Sequence, residues 1–116
     1  MHELSLLQEM LEIATAEARR RKAARIHRIG LRVGAHSGIE PHALEFAFPV
    51  AREGTLAAQA VLDVEIVPVV AHCAQCDNEF SPPDVVYRCP RCGTIAHGLA
   101  AGDELVLQTL ELSFDA

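Results

Sequence analysis

Four cysteines, Cys73, Cys76, Cys89 and Cys92, are spaced C-x2-C-x12-C-x2-C in the stretch "HCAQCDNEFSPPDVVYRCPRCG". Two residues between cysteines let both thiolates of a tight turn face one cation. Two such knuckles close a tetrahedral site of four sulfurs. Pro90 and Gly93 are the turn residues expected around the second knuckle. Thiolates in this geometry suit Zn²⁺ or iron, and zinc is the better fit where nothing else in the chain suggests electron transfer. Four protein ligands leave no open position, so the expected role is structural, with the metal supplying much of the stability of a segment too short for its own core. A thioredoxin-like redox pair or two disulfides are the competing readings, and neither explains two matched knuckles.

A second set of donors stands at the start, "MHELSLLQEM". The α-amine of Met1, the amide nitrogen of His2 and the His2 imidazole form fused chelate rings around a single ion, a nitrogen set that favours Ni²⁺ or Cu²⁺. Glu3 could complete it through backbone or carboxylate. The plain alternative is a frayed chain end whose Glu3 complements a helix dipole, and the residues alone leave both readings open. His72 and His97 flank the knuckles, and His97 could reach an ion held by the amino terminus. Glu40 follows the "VGAHSGIE" turn and is either a further ligand or a helix-start residue; His36 and His42 read as exposed polar residues, and Phe80 and Tyr87 as packing over the knuckles.

The elements that must position these groups follow from periodicity. Leu4, Leu7, Leu11, Ala14 and Ala18 mark an amphipathic helix over 3–22, with glutamates toward its start and the basic run "RRRKAAR" at its end. Ile26, Ile29, Leu31 and Val33 predict a strand, and Pro41 to Gly54 a second helix that Pro49 should kink or divide. "AVLDVEIVPV" predicts a second strand leading into the cysteines, and "DELVLQTLEL" a third after them. The expected fold class is α+β: two helices packed on a small three-stranded sheet, with a zinc-ribbon-like module inserted before the last strand. The expected division is residues 1–69 plus 100–116 as one domain and 70–99 as the metal module.

The chain has 116 residues, half of them apolar, and a formal net charge of -6. That balance argues against a nucleic-acid partner, because affinity for phosphate backbone comes from clustered lysine and arginine. The charge is uneven, and the acidic second half suits a basic protein partner. Neither a membrane-spanning run nor a secretory signal is legible, which places the expected site of action in the cytoplasm.

Taken together, "MHELSLLQEM", "LRVGAHSGIEPHALEFAF", the two knuckles and "GDELVLQTLEL" occur in an order that resembles the HypA/HybF family of nickel-delivery proteins, over essentially the whole chain. The resemblance implies a metallochaperone with no turnover of its own, consistent with the lack of a nucleophile paired to a base, a phosphate loop or an open metal position. It implies nickel as transient cargo at His2, with Glu3 and Met1 beside it, and structural zinc on Cys73, Cys76, Cys89 and Cys92. It also implies a HypB-type GTPase partner, delivery to the [NiFe]-hydrogenase large-subunit precursor or in some organisms to urease, and leaves a homodimer open. The reading from another class is a zinc-ribbon protein-interaction module with no nickel role; a redox enzyme using one knuckle is a third.

Overall fold

The structure is a computed structural model that describes residues 2–83 and 85–114, apart from the side chain of His2. The elements are α1 (His2–Arg20), β1 (Arg25–Gly34), a 3-10 turn (Ala35–Ser37), α2 (Pro41–Ala51), β2 (Val61–Val67), β3 (Val70–Cys73), β4 (Asn78–Phe80), β5 (Gly98–Ala101) and β6 (Leu105–Ser113). Two compact units share them, the larger formed by Met1–Arg32, Ile39–Glu65 and Val106–Ala116, the smaller by Val33–Gly38 and Ile66–Leu105.

In the larger unit, α1 buries Leu6, Leu7, Met10, Leu11, Ala14 and Ala18, a stripe at helical spacing. It packs against α2, whose Leu44, Ala47 and Phe48 are buried. Ile26, Ile29 and Leu31 of β1 are each at most 2% exposed and join that core. The sheet order is β2-β1-β6. Arg28 in the middle strand reaches Asp63 on β2 at 2.7 Å and Glu111 on β6 at 3.2 Å, tying the three strands on the wet side. Such exposed pairs add little stability individually, so burial of the apolar side chains of α1, α2 and β1 dominates.

Pro49 does not divide α2, which runs unbroken from Pro41 to Ala51. It lies in the last turn with only Val50 and Ala51 after it, so the helix loses one backbone hydrogen bond near an end that frays anyway. Glu40 is the N-cap: its carboxylate accepts from the His42 backbone N–H at 3.1 Å, and Pro41 occupies the first helical position. At the far end of α1, Glu17 accepts from Arg20 and Arg21.

The smaller unit carries a second three-stranded sheet, β4-β3-β5, which periodicity did not reveal because its strands are three or four residues long. Pro68 and Val69 separate β2 from β3. Cys73 pairs with Asn78, and His72 lies opposite both Glu79 and Gly98. The Val33–Gly38 segment joins this unit because Gly34 N–H donates to Glu104 O at 2.6 Å and His36 N–H to Gly102 O at 2.9 Å. Two backbones approach so closely there that a Cβ on Gly34 would overlap the Gly102 carbonyl.

Gly34 has an ordinary φ of -72° but no space, whereas Gly38 has φ 73° and open space. Gly34→Ala is therefore expected to cost about 2 kcal/mol or more by steric overlap, and Gly38→Ala only about 1 kcal/mol of backbone strain. Thermal denaturation of the two variants should rank them in that order, and the reverse ranking contradicts the close approach. A second expectation concerns Glu17, whose carboxyl two guanidinium groups, Arg20 first, hold down at about 2 against an ordinary 4.5. A carboxyl depressed in the folded state supports folding fully above the unfolded value. Its support of α1 is lost as pH falls from about 4.5 toward 2, and Glu17→Gln should flatten the helical signal's pH dependence across that window.

Candidate metal centre

The smaller unit's one cluster of metal-ligating side chains among the described residues is Cys73, Cys76, Cys89 and Cys92, with all four sulfurs within 4.8 Å of one another. Strand β3 delivers Cys73 at its end, and the turn that follows delivers Cys76; Asp77 takes φ 49° to close that turn before β4. The second knuckle is closed by backbone: Cys89 N–H donates to Thr94 O at 2.8 Å and Gly93 N–H to Cys89 O at 2.9 Å, with Gly93 at φ 77°. Arg88 bridges across to Ile95 in the strand-like approach to it, and its guanidinium donates to Gly93 O.

The sulfurs are set for a tetrahedral ion. Cys73 and Cys92 Sγ lie 3.6 Å apart, and a tetrahedron built on the usual zinc–sulfur bond has edges of about 3.8 Å. No disulfide links any of the four. Backbone N–H groups of Cys92 and Arg91 aim at the Cys89 sulfur and lower its pKa. Thr94 beside Cys92 holds that thiol down to about 6, while Cys76, hydrogen-bonded to the Cys92 sulfur, is pushed up to about 12. Thiols this close cannot all ionise without a cation, and a divalent ion removes the conflict by binding all four as thiolates. The donor set fits structural Zn²⁺.

Around the cluster, His72 Nε2 lies 3.0 Å from Asp77 Oδ1, so its imidazole is engaged outside the four-sulfur set. His97 is exposed and lines, with His72, Cys73 and Thr94, a shallow cavity of about 290 Å³. Tyr87, half-buried, meets the 3-10 turn at His36. Its hydroxyl lies 2.8 Å from His36 Nδ1 and the two rings are 5.7 Å apart, so the exposed His36 turn is held by the cysteine module rather than standing free. Phe80, half-buried, pairs in register with Ala71. No sequence signal pointed to the His36–Tyr87 contact, since 51 positions separate the two.

At the amino terminus, Glu3 lies half-buried in the first turn of α1, and the α1 backbone begins at His2. Met1 and the His2 side chain lie outside the described residues. Glu40 is committed as the α2 cap and His42 sits 3.7 Å from Glu45.

A whole-chain comparison decides the family. The family model described as hydrogenase/urease nickel incorporation metallochaperone, HypA, matches residues 1–112. The chain belongs to the HypA family. It is 46% identical over 112 residues to the hydrogenase maturation factor HypA of Picosynechococcus sp., covering 97% of this chain and 99% of that one. It is 35% identical over 115 residues to the HypA of Aquifex aeolicus, covering 99% and 100%. A solution structure of a HypA protein overlays with a TM-score of 0.72 at 25% identity, over 99% of this chain and 98% of the other. The expected α+β class, two helices with small sheets and a four-cysteine module, is the architecture found here. The family model describes a metallochaperone, and these relatives are named as maturation factors. Among the described residues, no helix is long and apolar enough to cross a membrane.

Metal analysis of the purified protein should find one zinc per chain, lost in Cys89→Ser. Tyr87 is the only tyrosine in a chain without tryptophan. Chelation of the zinc is expected to brighten its emission by releasing it from His36, while the α1 helical signal persists. An unchanged zinc content in Cys89→Ser contradicts the four-sulfur site.

Proposed function

We propose that this chain is a nickel metallochaperone that carries Ni²⁺ at its amino terminus and delivers it during [NiFe]-hydrogenase maturation. The observation that carries this reading is the HypA family match over residues 1–112. The four cysteines supply the structural zinc that shapes the smaller unit, and the nickel-binding role goes to the larger one. His2 is the principal nickel ligand, with Glu3 and the Met1 α-amine completing the set. Neither Glu40, engaged as a helix cap, nor His97 is needed for it.

The chemistry supports separate sites. Four thiolates enclose an ion and release it slowly, which suits a structural metal, whereas a carrier has to hand its cargo on. Nitrogen donors at a chain end offer affinity without enclosure and select nickel over zinc by geometry. The α-amine must lose its proton to bind, so affinity falls as pH falls. In this reading the protein performs no turnover of its own and acts in the cytoplasm. Its partners are a HypB-type GTPase and the hydrogenase large-subunit precursor, and a homodimer is compatible with it.

Titration of Ni²⁺ into the zinc-loaded protein tests the proposal. His2→Ala is expected to weaken binding by tenfold or more, an amino-terminal extension before Met1 to weaken or alter it, and Glu40→Gln to leave it unchanged. Equal affinity in the parent, His2→Ala and the extended chain would remove nickel from the amino terminus and leave a zinc-ribbon interaction module.

A further inference from the structure

Helix α2 is apolar on two faces. Leu44, Ala47 and Phe48 face the core of the larger unit, but Phe46, Pro49 and Val50 follow at i, i+3 and i+4 on the opposite side, with Phe46 87% and Val50 67% exposed. A phenylalanine left so open contributes nothing to the chain's own packing, and contiguous apolar surface of this kind marks interaction sites. Pro49 adds a second feature to the same face. Lacking an N–H, it cannot donate to the Glu45 carbonyl, so a backbone acceptor stands beside Phe46.

The rim sets the partner's charge. Glu45 adjoins Phe46, Glu53 lies one turn beyond Val50, and both are exposed. His42, one turn before Phe46, sits beside the Glu45 carboxylate. Arg52 is turned away: its guanidinium donates to Ala60 O at 2.7 Å and lies 5.6 Å over the ring of buried Phe48. The outward face of α2 is thus apolar in the middle and acidic at both ends. We infer that it is a docking surface for a partner-protein segment presenting apolar side chains flanked by lysine or arginine, such as the apolar face of a basic amphipathic helix.

Charge separates this occupant from others. A second copy docked through the same face about a two-fold axis would bring Glu45 and Glu53 of both copies together, which repels. An anionic membrane is opposed by the same carboxylates. The surface uses none of the residues assigned to zinc or nickel, so its test is independent of theirs.

The full zinc-loaded chain is titrated with a fluorescently labelled amphipathic leucine–lysine helix and with its leucine–glutamate counterpart, read by anisotropy. The lysine peptide is expected to bind and the glutamate peptide not to. Phe46→Ser with Val50→Ser should weaken binding tenfold or more, as should Glu45→Lys with Glu53→Lys, while melting temperature and zinc content stay at the parent values. Amide shifts on binding should centre on residues 42–53. Absence of binding, equal binding by parent and both double variants, or a lowered melting temperature in the serine variant overturns the inference. Self-association of the parent that is lost in the serine variant also overturns it, by giving the face to a second copy.

Discussion

Four sulfurs gathered within 4.8 Å impose the condition on which the smaller unit depends. Its buried apolar side chains among the described residues are few, Val33, Val67, Ala71 and Ala96 with Cys73 and Cys89, and two of these six are themselves ligands. Burying four small aliphatic side chains offsets little of the conformational entropy lost in ordering the unit. A structural metal contributes on the order of 10 kcal/mol to a module of this kind. The split among the thiols follows their partners: Thr94 draws Cys92 down, while the neighbouring Cys92 sulfur and burial drive Cys76 up. The β4-β3-β5 sheet, the Gly34–Gly102 approach and the His36–Tyr87 contact all belong to the unit that this centre organises.

The larger unit obeys a different rule. Its stability comes from the buried apolar side chains of α1, α2 and β1, a core built without metal ligands. That independence suits the proposed carrier role, in which cargo held at the start of α1 would come and go without unfolding the larger unit. Under the proposed function, two kinds of metal chemistry share one small chain: soft donors in a closed tetrahedron for the resident ion, and nitrogen donors at the amino terminus for the transient one.

Much of this was legible from residue order. The stripe Leu7, Leu11, Ala14, Ala18 is buried as its spacing implies, and the cysteines converge as their two knuckles require. The Glu40–Pro41 pair starts α2 as its chemistry suggests. What escaped were features with no local period. Strands β4 and β5 are too short to alternate visibly, and Tyr87 meets His36 across 51 positions. Pro49 leaves α2 undivided because a proline's effect depends on how many helical residues follow it, and here only two do. The exposure of Phe46 had no sequence signal either, because exposure is a property of what packs against a helix and is not written in its composition.

The central claim is that zinc and nickel occupy different donor sets of the same chain. X-ray absorption at the nickel edge of the zinc-loaded protein carrying one equivalent of Ni²⁺ addresses it most directly. The account predicts a nickel shell of nitrogen and oxygen alone, lost in His2→Ala, with the zinc edge still reporting four sulfurs. Sulfur scattering at nickel, with zinc displaced, would contradict it.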